Sequence, residues 1–413
     1  MKEFFKVADI QEVLEYTSDF SSVEPENVQL FETAGRVLAE DIVSEVDLPD
    51  FNRATMDGYA VCASSTFGAT EANPAYLDLK GVIGMGESPC FSIGPGEAAR
   101  ISTGGMLPEG ADSVVMIEHT QVIDDITIEV AKSVAPGQHA VEVGEDIKKG
   151  EITLCRGQRL RPQETGLLAA LGKVRVNVYK KPVIGIISTG DEIVPVDETP
   201  GVGRIRDVNT YTLSSLVIKA GGIPLTFGIV RDDFDALFEK CALALAQSDM
   251  VLISGGSSVG TRDFTIDVLS SLPGSDILVH GISISPGKPT ILAKAHNKDQ
   301  KKAFWGLPGH VVSAMVVFEV VVRPFIEYIG GVTLERKRHF LISAFLSRNI
   351  VSAQGRIDYI RVRLIEKAGM LWAEPLIGKS SLINTMVKAD GLIEIGINTE
   401  GLEKGEEISV IPL

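Results

Sequence analysis

The stretch PVIGIISTGDEIVP (182–195) decides the fold. Its first half is an unbroken apolar, β-branched run, the mark of a strand covered on both faces. Its second half is a polar loop with two adjacent carboxylates. The same alternation continues downstream. TYTLSSLVIKAGG (210–222) reads as a helix, IPLTFGIV (223–230) as a strand ending in RDD, and FDALFEKCALALAQS (234–248) as a helix. DMVLISGG (249–256) is a strand leading into SSVGTRD, and FTIDVLSSL (264–272) is a helix. AFWGLP (303–308) is a strand, and HVVSAMVVFEVVVRPF (310–325) is a long buried helix. Strands alternating with helices predict a doubly wound α/β domain with a parallel sheet over 179–330.

Outward from it the texture changes. On the N-terminal side, 58–145 shows short β-like runs between turns: AYLDLKGVIGMG, GEAARIST, DSVVMIEH and ITIEVAKSV. They predict an inserted β-rich domain over 47–145. Residues 1–46 read as helical, with Ile10, Val13 and Leu14 at helical spacing and a second amphipathic stretch at 26–43. LRPQETGLLAALG (160–172) is a helix with Pro162 in its first turn and Gly172 just past its end. Residues 1–46 and 146–178 are therefore expected to form one extended helical domain. On the C-terminal side, IDYIRVRLIE, MLWAEPLI, GLIEIG and EEISVIPL predict a small β-barrel over 331–413.

Composition limits the function. The 413 residues carry 39 basic and 55 acidic side chains, a formal net charge of −16. Duplex nucleic acid and anionic membranes both call for broad basic surfaces, so neither is expected as a partner. The longest apolar run, in 311–322, is broken by Glu319 and too short to span a bilayer. Cys62, Cys90, Cys155 and Cys241 are scattered and read as core residues; with no apolar leader at the N-terminus, a reducing cytoplasm is expected.

In an open parallel sheet, ligands bind beyond the carboxyl ends of the strands. Here those ends carry STGDEI (188–193), RDD (231–233), SGGSSVGTRD (254–263) and LPGH (307–310). Asp191, Glu192, Asp232, Asp233 and Asp263 facing one crevice would repel each other without a cation, and hard oxygen ligands favour Mg²⁺. The Gly- and Ser-rich loop suits phosphate at a helix start, though it is neither a Walker A loop nor G-x-G-x-x-G. Lys288, stiffened in SISPGKP (283–289), is a positioned charge for an oxyanion. Ordinary caps and turns use the same residue types, and a surface turn lysine is the plain reading of Lys288. Agreement among several loops favours a site for a phosphorylated substrate. His310 reads as structural, and Glu319 as half of an interhelical pair.

These motifs together carry a resemblance that runs nearly end to end. ATMDGYAV (54–61), ISTGGMLPEGADSVVMIE (101–118), GEDIKKGE (144–151), STGDEI, RDVNTYTL (206–213), SGGSSVGTRDFT (254–265), SPGKP (285–289), GLPGHVVSA (306–314) and GRIDYIRV (355–362) resemble the molybdopterin molybdenumtransferases, the MoeA molybdenum insertases. The gephyrin E domain and its plant counterpart are similar. The resemblance implies a transferase that takes adenylylated molybdopterin and molybdate, hydrolyses the adenylate with Mg²⁺, releases AMP and leaves molybdenum on the pterin dithiolene.

Matching motif by motif, it implies metal ligands at Asp191, Glu192, Asp232 and Asp263, with Glu192 and Asp263 also catalytic. Gly255, Gly256 and Ser257 would form the phosphate loop, with Thr189, Gly190 and Pro308 lining the substrate. Lys288 would meet the anionic pterin end or molybdate. Arg361 and Ser380 of the barrel would face molybdate. From the inserted domain, Asp57, a functional acid, and Thr103 match positions that reach the site from the other subunit, which implies a homodimer with composite sites; Asp146 of GEDI matches another functional acid. A MogA-like molybdopterin adenylyltransferase is the expected transient partner. The family's Gly-Ser-Gly turn is here Gly-Lys-Ser-Ser (378–381), so Lys379 enters beside Ser380. The alternatives are an adenylyltransferase, a scaffold like the synaptic role of gephyrin, and insertion of tungstate in place of molybdate.

Overall fold

The computed structural model describes residues 7–255, 264–297, 300–333 and 340–413. The chain divides into two compact units. One is Asp41–Cys155 with Leu167–Lys173; the other comprises Met1–Glu40, Arg156–Gly166 and Val174–Leu413.

The second of these holds the α/β sheet. Its strands are β1 (Val183–Thr189), β2 (Ile223–Val230), β3 (Met250–Ser254), β4 (Asp276–His280), β5 (Ile291–Asn297) and β6 (Gln300–Leu307), in the order β2-β1-β3-β6-β5-β4. β2, β1, β3 and β6 are parallel. The doubly wound parallel sheet carries one antiparallel member near its edge, where β5 runs antiparallel to both β6 and β4. That is a common finish for a sheet whose central strands are covered on both faces.

Side-chain alternation along the strands builds the two faces. Ile184 and Ile186 of β1, Leu252 of β3 and Trp305 of β6 pack with helix α1 (Asn209–Ala220) and the helix that starts at Val311. Ile187, Ile253 and Phe304 pack with α2 (Phe234–Gln247) and α3 (Phe264–Ser271). The long buried helix is present as α4 (Val311–Val317), a π turn over Phe318–Val322, and α5 (Arg323–Ile329). Glu319 on it pairs with Lys219 of α1 at 3.6 Å and with Arg323 at 2.9 Å, as expected of an interhelical pair.

The barrel is closed. β7 (Ile342–Leu346), β8 (Ile357–Lys367), β9 (Met370–Pro375), β10 (Gly391–Ile395) and β11 (Glu407–Pro412) run in the order β8-β9-β7-β11-β10, and β10 returns to β8. Leu346, Val362, Ile393 and Val410 fill it. Ile284–Ser285 pair in parallel with the start of β8, at Ile357 and Asp358.

The inserted unit is β-rich, as its runs predict. Its six-stranded sheet orders Ser113–Met116, Gly58–Val61, Glu97–Ile101, Ala75–Ile83, Thr127–Val130 and Thr120–Val122.

The helical reading of 1–46 needs correction. Asp9 caps a helix limited to Ile10–Glu15. Pro25–Gln29 is a strand paired antiparallel with Arg175–Tyr179, and 26–43 holds no α-helix. Its apolar spacing is compatible with two periods, and pairing with a distant partner strand decided between them. Pro162–Ala170 is helical, and Gly172 past its end has φ +70°.

Candidate functional site

The sheet order reverses at β1: the chain crosses to β2 on one side, then to β3 on the other. The loops after β1, β3 and β6 therefore frame the switch-point crevice.

At the end of β1, Thr189 is buried and donates its hydroxyl to Asp232 Oδ1 at 2.9 Å. Asp191 Oδ1 accepts from the Asp232 amide at 3.4 Å. Asp233, next in RDD, accepts from the Ala236 N–H and caps α2. One acid of that pair is thus spent on the helix, and its neighbour faces the β1 loop. Gly190 is tied to β2 through the Val230 carbonyl, and a Cβ there would lie 2.8 Å from the Glu192 carboxylate, which folds back over it. Asp191, Glu192 and Asp232 are exposed.

Among the described residues no three His, Cys, Asp or Glu side chains gather as a ligand set. Asp263, with Gly256 and Ser257 of the phosphate loop, lies outside the described residues. The donors present, exposed carboxylate oxygens beyond a strand end, are the hard type that suits Mg²⁺.

Gly255 opens the loop after β3. Its φ is +108°, and a Cβ would lie 2.0 Å from the Thr189 carbonyl oxygen, so only glycine fits. Its N–H donates to Leu307 O at the end of β6. Pro308 is buried there, and His310 begins α4.

Two residues that sequence reasoning left without a role hold these loops. Asp207 is buried and accepts from Ser188 Oγ (3.0 Å), Thr210 Oγ1 (2.6 Å) and Thr210 N (3.1 Å). Asn209 donates to Ser254 Oγ at 2.6 Å and to Gly309 O at 2.8 Å. Their signal was the polar RDVNTY run directly before a helix.

The barrel contributes the cation. Arg361 on β8 is buried at 7% exposure, and its Nη2 donates to Gly378 O at 2.8 Å. Its Nε is buried without a hydrogen-bond partner among the described residues, and burial holds its basicity below the usual arginine range. A buried guanidinium is normally met by a carboxylate; this one meets a backbone carbonyl and keeps an N–H unspent. Two residues on, Ser380 accepts at its carbonyl from the Val312 amide at 3.0 Å, and its hydroxyl lies 3.1 Å from His310 Nδ1. The structural reading of His310 is therefore incomplete, because its ring touches an expected site residue.

Lys288 is exposed on a fixed turn. Its carbonyl accepts from both Ile282 and Thr290 amides, and Gly287 beside it packs against Val317. Lys379 is exposed too.

The inserted unit carries the remaining three. Thr103 donates through its amide (2.7 Å) and hydroxyl (3.0 Å) to Asp57 Oδ1, and these bonds hold the Asp57 carboxyl below the usual range. Asp146 is exposed, and its amide donates to Leu48 O. The stretch from Leu48 to Asp57 links them, with the Asn52 side chain accepting from Val143 N and its carbonyl from Leu107 N. No disulfide joins the four cysteines. Cys241 is buried and its thiol is pushed up to about 12, which excludes a thiolate near neutral pH. The core reading of the other three is corrected: Cys62 and Cys155 are half-buried, and Cys90 is exposed.

Comparison with known proteins gives three consecutive matches. Residues 6–172 match the MoeA N-terminal region (domain I and II), 185–328 a "Probable molybdopterin binding domain", and 343–413 the MoeA C-terminal region (domain IV). The chain is 33% identical to the molybdopterin molybdenumtransferase of Bacillus subtilis over 94% of its own length and 90% of the relative's. It is 35% identical to that of Haemophilus influenzae, covering 94% and 93%. The crystal structure of the molybdopterin biosynthesis MoeA protein from Pyrococcus horikoshii OT3 superposes with a TM-score of 0.83 at 32% identity, covering 99% of this chain and 100% of that one.

Proposed function

The chain belongs to the MoeA family, and from that premise we propose how its residues carry out the family's reaction. It is a transferase of molybdenum cofactor biosynthesis that inserts molybdenum into molybdopterin. The finer reading is that the pterin arrives adenylylated, and that molybdate-dependent hydrolysis releases AMP.

The observation that carries this reading is Arg361. A buried guanidinium with an unspent Nε–H, beside the turn of Gly378 and Ser380, suits a tetrahedral dianion. Lys288 adds a second cation from its fixed turn. Asp191, Glu192 and Asp232 would hold Mg²⁺, which when bound neutralises the pyrophosphate and polarises its oxygens. Thr189 keeps Asp232 oriented. Glu192 is assigned to take the proton from the attacking water. That water's oxygen ends on AMP or on the pterin phosphate as the bond between them breaks. Gly255 lets the loop backbone approach the phosphate closely.

Asp57 and Thr103 are assigned to the site of a second copy, giving a homodimer with composite sites, and Asp146 is assigned as a further functional acid. A MogA-like adenylyltransferase would deliver the substrate. The described helices include none long and apolar enough to cross a membrane, and the cytoplasm is the compartment we assign.

The experiment is AMP release from adenylylated molybdopterin with and without molybdate. Release that needs both molybdate and Mg²⁺, is stopped by chelation and is absent from Glu192→Ala supports the reading. Tight pterin binding without AMP release under any oxyanion overturns it.

A further inference from the structure

We propose that Asn209 is a positioning residue for the pterin-phosphate site: one buried carboxamide that fixes the carboxyl end of β3 and the loop after β6 in register with each other. The inference rests on reading those segments as the molybdopterin-holding part of the chain, and it adds a residue to which that reading gives no role.

Asn209 is the first residue of α1 and only 8% exposed. A carboxamide NH₂ has two hydrogens. One goes to Ser254 Oγ at 2.6 Å, at the end of β3, and the other to Gly309 O at 2.8 Å, beyond β6. The amide orientation is chemically determined, because a backbone carbonyl can only accept; turning the amide would set two oxygens against each other at Gly309. Its Oδ1 is buried without a partner among the described residues. Among the described residues the side chain is therefore held by its two donations, one to the end of β3 and one to the loop after β6. Ser254 precedes Gly255, which itself abuts Thr189, and Gly309 precedes His310, which reaches Ser380. Asn209 thus stands where these two segments could drift apart, and a shift of about 1 Å at such a site is enough to weaken function strongly.

The test compares Asn209→Asp, which keeps the shape and removes both donors, with Ser254→Ala, which removes one acceptor. Molybdopterin affinity is measured by quenching of pterin fluorescence, thermal midpoints are recorded alongside, and hydrogen exchange is followed in peptides spanning 250–255 and 306–314. We expect Asn209→Asp to raise the molybdopterin Kd at least tenfold and to speed exchange in both peptides while the barrel strands exchange as before. Ser254→Ala should raise Kd twofold to threefold. A Kd within twofold of wild type in a folded Asn209→Asp protein overturns the proposal. So does wild-type exchange in both peptides, a readout that needs no ligand. A wild-type protein that binds no molybdopterin would instead sink the parent reading, and the exchange result would then decide on Asn209 alone.

Discussion

His310 Nδ1 lies 3.1 Å from the Ser380 hydroxyl, so the loop leaving β6 and the turn leaving β9 meet side chain to side chain. The direction of that bond decides what Ser380 offers an oxyanion. If Nδ1 accepts, the only hydroxyl hydrogen is spent; if Nδ1 carries a proton and donates, that hydrogen is left for molybdate. On our reading of the site, Ser380→Ala should weaken molybdate binding about fivefold to tenfold, the size of one lost hydrogen bond. His310→Ala should cost less, because Val312 still holds the Ser380 carbonyl. Calorimetric titration with molybdate checks both, and unchanged affinity in Ser380→Ala would remove Ser380 from the site.

Arg361 sets stability against function. A buried charge with no carboxylate partner, as Arg361 is among the described residues, carries an uncompensated desolvation cost. Arg361→Met keeps much of the volume and removes that cost, so its melting temperature should stay level or rise by a few degrees, a gain of about 1 kcal/mol. Molybdate binding should be lost. Arg361→Lys should recover only part of it, since an ammonium cannot hold the Gly378 carbonyl and an oxyanion in the same fork geometry. A large fall in melting temperature for Arg361→Met would show that the guanidinium serves the fold first.

Much of this was legible from residues alone. Unbroken apolar strands such as 183–189 and 250–254 can sit only inside a covered sheet, and their polar ends pointed at the crevice. The barrel followed from its alternating runs. Pro25–Gln29 was misread because its partner, Arg175–Tyr179, lies about 150 positions away and no local pattern announces it. The strand β5, one in from the sheet edge, was missed for a similar reason: ILAKAHN mixes small and polar residues and becomes a strand by pairing with β6 and β4. At the site, residue types named the acids, while Arg361 came only from the resemblance. They could not separate Asp233, a helix cap, from Asp232, held by Thr189, because the two are adjacent and identical.

Asp57 gives a pH prediction with a definite sign. Two bonds from Thr103 hold its carboxyl below the usual range. A depressed carboxyl contributes stability that is fully present above the unfolded pKa and is lost as pH falls through the folded one. The inserted unit should thus hold its Asp57–Thr103 contact through neutral pH and lose that contribution in acid, below the ordinary aspartate range. In Thr103→Val the carboxyl should titrate at higher pH. Carbon-detected NMR of the Asp57 carboxyl reads this directly, and equal titration midpoints in the two proteins would sink it.

Asp207 ties the end of β1 to the start of α1. Its two oxygens accept from the Ser188 hydroxyl, the Thr210 hydroxyl and the Thr210 amide. Removing them in Asp207→Ala leaves the Thr210 amide and one of the two hydroxyls short of an acceptor, because the Ser188 and Thr210 hydroxyls lie 2.9 Å apart and can bond each other; each such group costs about 1–3 kcal/mol. Relaxation and water entry lower the sum, so a loss of about 2–4 kcal/mol in denaturant unfolding is expected. Asp207→Asn keeps one acceptor oxygen and should lose about half as much. The two variants also separate fold from site. Ser188 directly precedes Thr189, whose hydroxyl orients Asp232, so a disturbed Ser188 should reach the acidic loop. AMP release in Asp207→Asn, measured where the protein is fully folded, should fall with molybdate affinity unchanged, because Arg361 and Ser380 sit on the barrel side. An equal loss of molybdate affinity would mean that Asp207 supports the whole crevice and has no selective hold on its acidic end.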